Sequence, residues 1–227
     1  EFLPKDPGRA PGSMYHIINL PAGYEGSRLD IYLSSPLNQF SGLVNEVRIG
    51  CITSHILFIL KQSFINLLLS VVAIVLGLIM LVFFVSMYYS GSRHVSILYL
   101  SLFVILSGVW LCCESRALEL FVRNPRLIMC VTFMAQYLAP IPLLAFVIDI
   151  FRPKYTNWLK QFLILFTAHF FVASILYLLK IIEFYDSVVL FHTVLVCCII
   201  IVVLTAIHEI RRGKRGITLF FLGCIAL

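Results

Sequence analysis

A chain of 227 residues with 61% hydrophobic and only 12% charged residues cannot cover itself as a water-soluble domain, which carries about twice that share of charge. The excess apolar surface must face something other than water, and lipid is the expected medium. The net charge of +6 does not make a nucleic-acid surface, because Lys and Arg lie in short clusters between apolar runs instead of gathering on one face.

Residues 1–13 are rich in Pro, Gly and charge, with Pro4, Pro7 and Pro11 opposing regular structure. Three strand-like segments follow, at 14–20, 28–34 and 43–49. In the second, Leu29, Ile31 and Leu33 alternate with Asp30, Tyr32 and Ser34, the period-two pattern of a half-buried strand. Three strands are too few to close a sandwich core. Residues 1–52 are therefore expected to be the C-terminal part of an extracytoplasmic β-sandwich whose first strands lie upstream. Residues 53–63, with an apolar stripe at Ile56, Leu57, Ile59 and Leu60, predict an amphipathic juxtamembrane connector ending near Lys61. The chain opens on Glu1 and stops at Leu227 inside an apolar run, so both ends are expected to be cuts.

From residue 64 onward the pattern changes. Crossing about 30 Å of hydrocarbon takes about 20 apolar helical residues, and runs of that kind predict spans at 64–89, 95–113, 127–148, 161–179 and 187–207. A truncated sixth begins at 217 and runs to 227. Lipid cannot satisfy loose backbone groups, so these runs should be helices, and they do not alternate as barrel strands would. The expected fold class is mainly α: a polytopic helix bundle, a truncated seven-span form, occupying 64–227. With the N-terminal domain outside, the inner loops carry Arg93, Arg152, Lys154, Lys160, Arg211, Arg212, Lys214 and Arg215, against Arg116, Arg123, Arg126 and Lys180 in the outer ones. The positive-inside rule favours that orientation.

The segment LPAGYEGSRLDIYLSSP followed by SGLVNEVRIG resembles the end of the extracellular β-sandwich of bacterial seven-transmembrane receptors with diverse intracellular signalling modules (the 7TMR-DISM type). ILYLSLFVILSGVWLCCESRALELF resembles their second span and the loop after it, and QYLAPIPLLAFVIDIF their third. The likeness is to the clostridial branch, where a GGDEF diguanylate cyclase domain commonly follows the bundle. It implies a seventh span and a cytoplasmic output domain beyond Leu227, with histidine kinase or phosphatase as alternative outputs. It further implies an extracellular ligand such as a carbohydrate or another small molecule, a homodimer, and the plasma membrane of a bacterial cell.

Several residues are candidates for coupling. His169 and His192 lie inside the fourth and fifth runs, where a polar group is costly and usually faces the bundle interior. Each either changes protonation or bonding as helices shift, or stays neutral and bonded to a neighbouring helix. Pro140 and Pro142 should kink the third span, as a hinge or as a fixed shape. Asp149 has the spacing for an i,i+3 pair with Arg152. Glu114, Ser115 and Arg116 follow the second span beside the β domain, and Trp110 and Trp158 read as interfacial anchors.

Catalytic motifs are not found, and no cofactor is implied. The seven cysteines include no C-x-x-C pair and suggest packing instead of a metal site. The fragment is thus read as a non-enzymatic receptor module held in the lipid bilayer. A transporter or channel using the prolines and histidines is the second reading, and an intramembrane enzyme the third.

Overall fold

The computed structural model of the chain describes residues 47–91, 94–122, 124–151 and 156–211, together with Gly23, Gly26, Arg28 and Asp30. The expected strands lie outside these residues except for Arg28, Asp30 and 47–49, none of which is in a strand. The run at 217–227 lies outside as well. Among the described residues every regular element is helical: α1 (Ile52–Tyr89), α2 (Val95–Glu114), a short 3-10 helix (Arg116–Leu120), α3 (Pro125–Leu138), α4 (Pro140–Phe151), α5 (Thr156–Leu178) and α6 (Phe184–Arg211). Five stretches are long and apolar enough to cross a membrane: α1, α2, α3 with α4 over Pro125–Ile150, α5, and α6 over Phe184–His208. The chain is a multi-pass membrane protein.

The connector at 53–63 is continuous with the first span, because neither Gly nor Pro interrupts the sequence between Gly50 and Gly77. The resulting helix of 38 residues is about 57 Å long, nearly twice the thickness of the hydrocarbon. Its first turns therefore stand clear of the lipid core. There the Arg48 guanidinium lies 3.4 Å from the centre of the Phe58 ring and pins the incoming chain to the helix. At its far end α1 stops where Gly91 takes a φ of 86°, left-handed backbone that suits glycine.

The other helix ends are closed by local chemistry. The Asn124 side chain accepts the Leu127 N–H at 3.2 Å, with Pro125 in the first turn of α3. Asp186 accepts the Glu183 N–H at 3.0 Å, so α6 starts with a carboxylate beside its positive dipole end. α5 ends in a Schellman motif: Ile181 N–H bonds to the Leu176 carbonyl and Lys180 N–H to that of Tyr177, both at 3.0 Å. Lys180 occupies the left-handed position with φ 56°, where a side chain is strained. Lys180→Gly should raise unfolding stability by roughly 0.5–1 kcal/mol, read as a higher midpoint in thermal melts of the purified protein. A lower midpoint would contradict this account of the turn.

Helix directions alternate, so the start of α1, the α2–α3 connection and the α5–α6 loop share one face, called here the N-terminal face. The α1–α2 turn, the end of α4 and the end of α6 share the opposite one. α1 packs along α2 and against the 3-10 helix, α2 lies against α3 and α4, and α5 joins α4 to α6. The packing is of two kinds. Along α1 the buried residues are Ile59, Ser63, Ser70 and Gly77, and along α2 they are Ser101 and Gly108, with Ser115 just after it. The small residues recur every seven positions on both helices, which keeps one stripe on the partner if the two wrap with a left-handed crossing. The Ser70, Ser101 and Ser115 hydroxyls each donate to the carbonyl three residues back, at 2.7, 2.8 and 2.7 Å. Being satisfied within their own helix, these serines pack as small residues do. The second kind of packing is aromatic, and its fully buried members, among them Tyr137, Leu159, Phe166 and Phe191, all belong to α3–α6.

Candidate functional site

The hydrogen-bond ladder of the third span is interrupted where the sequence places two prolines: α3 ends at Leu138 and α4 opens on Pro140, while Ala139 between them keeps helical dihedrals (φ −56°, ψ −40°). Neither proline has an N–H, so the carbonyls of Gln136 and Leu138 lose their i+4 donors. Pro142 is buried and Pro140 half-buried. The residues just before the interruption carry the polar chemistry of the bundle.

Tyr137 has no exposed surface at all (0%), although it carries a hydroxyl in the middle of a membrane span. A helical side chain leans toward its own N-terminus, and this one reaches the first turn of α6. There its hydroxyl lies 2.8 Å from the Phe184 carbonyl and 2.8 Å from Ser187 Oγ. Ser187 Oγ also donates to the Phe184 carbonyl at 3.0 Å, so three groups close on each other. The ring is boxed by aromatics, with Phe191 at 4.7 Å and Phe184 at 6.0 Å between centroids. Tyr177 in turn stacks on Phe184 at 4.4 Å.

Both histidines join this cluster, on consecutive residues of α3. The His169 ring stands edge-on to Tyr137 at 4.9 Å, and its buried Nε2 has no hydrogen-bond partner. His192 departs from the inward-facing position expected of it: it is exposed on α6, with Nε2 3.3 Å from the Gln136 side-chain nitrogen and Nδ1 2.8 Å from the Val188 carbonyl. The bond to a neighbouring helix expected for either histidine is thus made by His192 and not, at Nε2, by His169. Nothing in the spacing of α5 and α6 showed which α3 residues they would meet.

The remaining candidates lie elsewhere. Asp149 is exposed near the end of α4 and accepts a hydrogen bond from Ser96 in the first turn of α2. Its expected partner Arg152 lies outside the described residues. Glu114 is the exposed last residue of α2, and Arg116 opens the 3-10 helix. Between and beside them, Ser115 and Ala117 are buried where this helix lies against α1. Ser115 is one of the residues the sequence offers for coupling; Ala117 and the seven-residue repeat of small side chains were missed in the sequence. A search for Ser or Gly at that spacing within the apolar runs would have found the repeat.

Cys51 marks the joint between α1 and the chain before it. It is fully exposed at the helix N-cap, and the Thr53 backbone N–H, followed by the Thr53 side chain, holds its thiol below the ordinary value. The thiolate is the reactive form, so alkylation of Cys51 should reach half its maximal rate at a lower pH than that of a free cysteine. Unfolding in detergent should return the profile to the ordinary one. A profile unchanged by unfolding would mean that the cap does not hold the thiolate. Among the described residues, no three His, Cys, Asp or Glu side chains gather as metal ligands would.

Five apolar spans, a third span interrupted at two prolines and a polar cluster centred on the buried Tyr137, with His192 at its exposed edge, define a helical membrane module. The family model described as 7TM diverse intracellular signalling matches residues 65–227, and the chain belongs to that family of receptor-type membrane signalling modules. No curated protein and no solved structure matches it.

Proposed function

We propose that this chain is the transmembrane relay of a bacterial receptor. In this reading the N-terminal β-sandwich lies outside the plasma membrane and binds a carbohydrate or another small molecule. The bundle carries the resulting shift to a cytoplasmic output domain, a GGDEF diguanylate cyclase as in the clostridial branch, working as a homodimer. The observation that carries the reading is the family match over 65–227. The charge asymmetry of the loops supports the orientation, and the length of α1 supports a direct mechanical link from the outer domain into the bundle.

A ligand can bias the bundle only by the difference in its affinity for two arrangements. Removing residues 1–50 from the full-length receptor should therefore change cyclic dinucleotide synthesis from GTP in isolated membranes. Equal synthesis with and without that segment would remove the basis for a sensing role. In intact cells, a membrane-impermeant maleimide should label Cys51, and protection of Cys51 until lysis would reverse the orientation.

A further inference from the structure

We propose that α1 and α2 form one rigid unit that shifts as a whole against α3–α6, with Ser96 and Asp149 clasping the slip plane at the opposite face. The proposal rests on the relay reading above and names its moving part.

Within the pair, backbone touches backbone. A Cβ on Gly77 would stand 3.1 Å from both Ile105 N and Ser101 O, and one on Gly108 would stand 3.0 Å from both Ile74 N and Ser70 O. No layer of flexible side chains separates the helices at these points, and sliding either along its axis would drive side chains into the glycine slots. The α2 surface facing the aromatic block is different. It offers half-buried Tyr99 and Leu100, side chain against side chain, the kind of contact that tolerates small helix displacements. α1 has its neighbours in α2 and the 3-10 helix. Movement at its outer end therefore reaches the aromatic block through α2 and the α2–α3 connection.

The clasp is readable from its charge. Asp149 lies in the last turn of α4, where a helix dipole disfavours a carboxylate, and against the first turn of α2, where one is favoured. Its position is unfavourable for its own helix and favourable for the neighbour. That is what a contact between two units requires.

The test uses the full-length receptor, cysteine-free and in lipid nanodiscs, with spin labels at exposed sites. One pair, Val82 and Leu102, lies within the proposed unit, and the other, Leu102 and Ile164, spans the slip plane. Asp149→Ala should shift or broaden the second distance distribution by about 2 Å and leave the first unchanged. Ser96→Ala should reproduce this, and Asp149→Asn, which keeps an acceptor, should not. If both pairs change together, or neither changes in either alanine variant, the rigid unit is wrong. A functional arm separates this failure from that of the relay. A disulfide between cysteines at 96 and 149 should abolish the difference in output between the intact receptor and the form lacking residues 1–50. One between 63 and 115, which the register sets opposite each other, should preserve it. If the deletion changes output and the first cross-link does not matter, the slip plane fails and the relay stands. If the deletion itself has no effect, the relay fails.

Discussion

Gly108→Ala should destabilise the protein by about 1–3 kcal/mol, and Gly108→Leu should detach α1 from α2. The added Cβ would stand 2.8 Å from Ile74 Cγ1, which can swing aside, and 3.0 Å from two backbone atoms, which cannot. Gly77 is the mirror case, with 2.6 Å to Ile105 Cγ1 and 3.1 Å to two backbone atoms. Lipid tails are as apolar as the side chains, so close packing and not hydrophobic burial holds these helices together. Parting them by a few tenths of an ångström forfeits contacts along the whole seam. Both substitutions push the same pair apart, so the double variant Gly77→Ala, Gly108→Ala should cost less than the sum of the singles. Val82→Leu on the lipid-facing side of α1, 69% exposed, should be neutral. Unfolding by steric trapping in bicelles measures each of them. Equal, small effects at Gly108 and Val82 would contradict the seam.

The second large effect belongs to Tyr137. Truncation to alanine should cost about 3–5 kcal/mol, because the fully buried ring is boxed by aromatic side chains of α3, α5 and α6 and the site cannot collapse. Tyr137→Phe should cost only about 0.6–2 kcal/mol, within the range for hydrogen bonds between membrane helices. Ser187 Oγ keeps its bond to the Phe184 carbonyl, so removal of the Tyr137 hydroxyl strands no buried donor. His169→Phe should do the reverse and raise stability, since the imidazole it removes holds a buried nitrogen with no partner. Thermal melts give the order directly. A destabilising His169→Phe would show that the imidazole nitrogen is bonded in the membrane. A stabilised variant with lost output would place His169 in signalling and not in packing.

The spans were legible because a run of apolar residues without charge states its own length. α2 runs Val95–Glu114 where the sequence predicts 95–113, and α6 runs Phe184–Arg211 against 187–207. The interruption of the hydrogen-bond ladder in the third span was legible too, from Pro140 and Pro142. α1 runs through Lys61 into the first span unbroken, because one charge on a long helix does not interrupt its backbone. The α1–α2 seam was hidden by chemistry: Ser63, Ser70, Gly77, Ser101, Gly108 and Ser115 look like ordinary punctuation of an apolar run until their spacing is compared across two helices. The partners of His169, His192 and Asp149 could not be read at all. They depend on which helices lie side by side, and all three contacts cross from one helix to another. The β domain expected at 1–52 belongs to the sequence alone.

A relay from an external cue requires the start of α1 to lie on the outer side of the membrane. Alkaline phosphatase fused after Phe121, in the α2–α3 connection, should be active in living cells, whereas the enzyme fused after Gly91, in the α1–α2 turn, should be silent. The opposite pattern would put the N-terminal domain inside the cell and leave the relay without an external input.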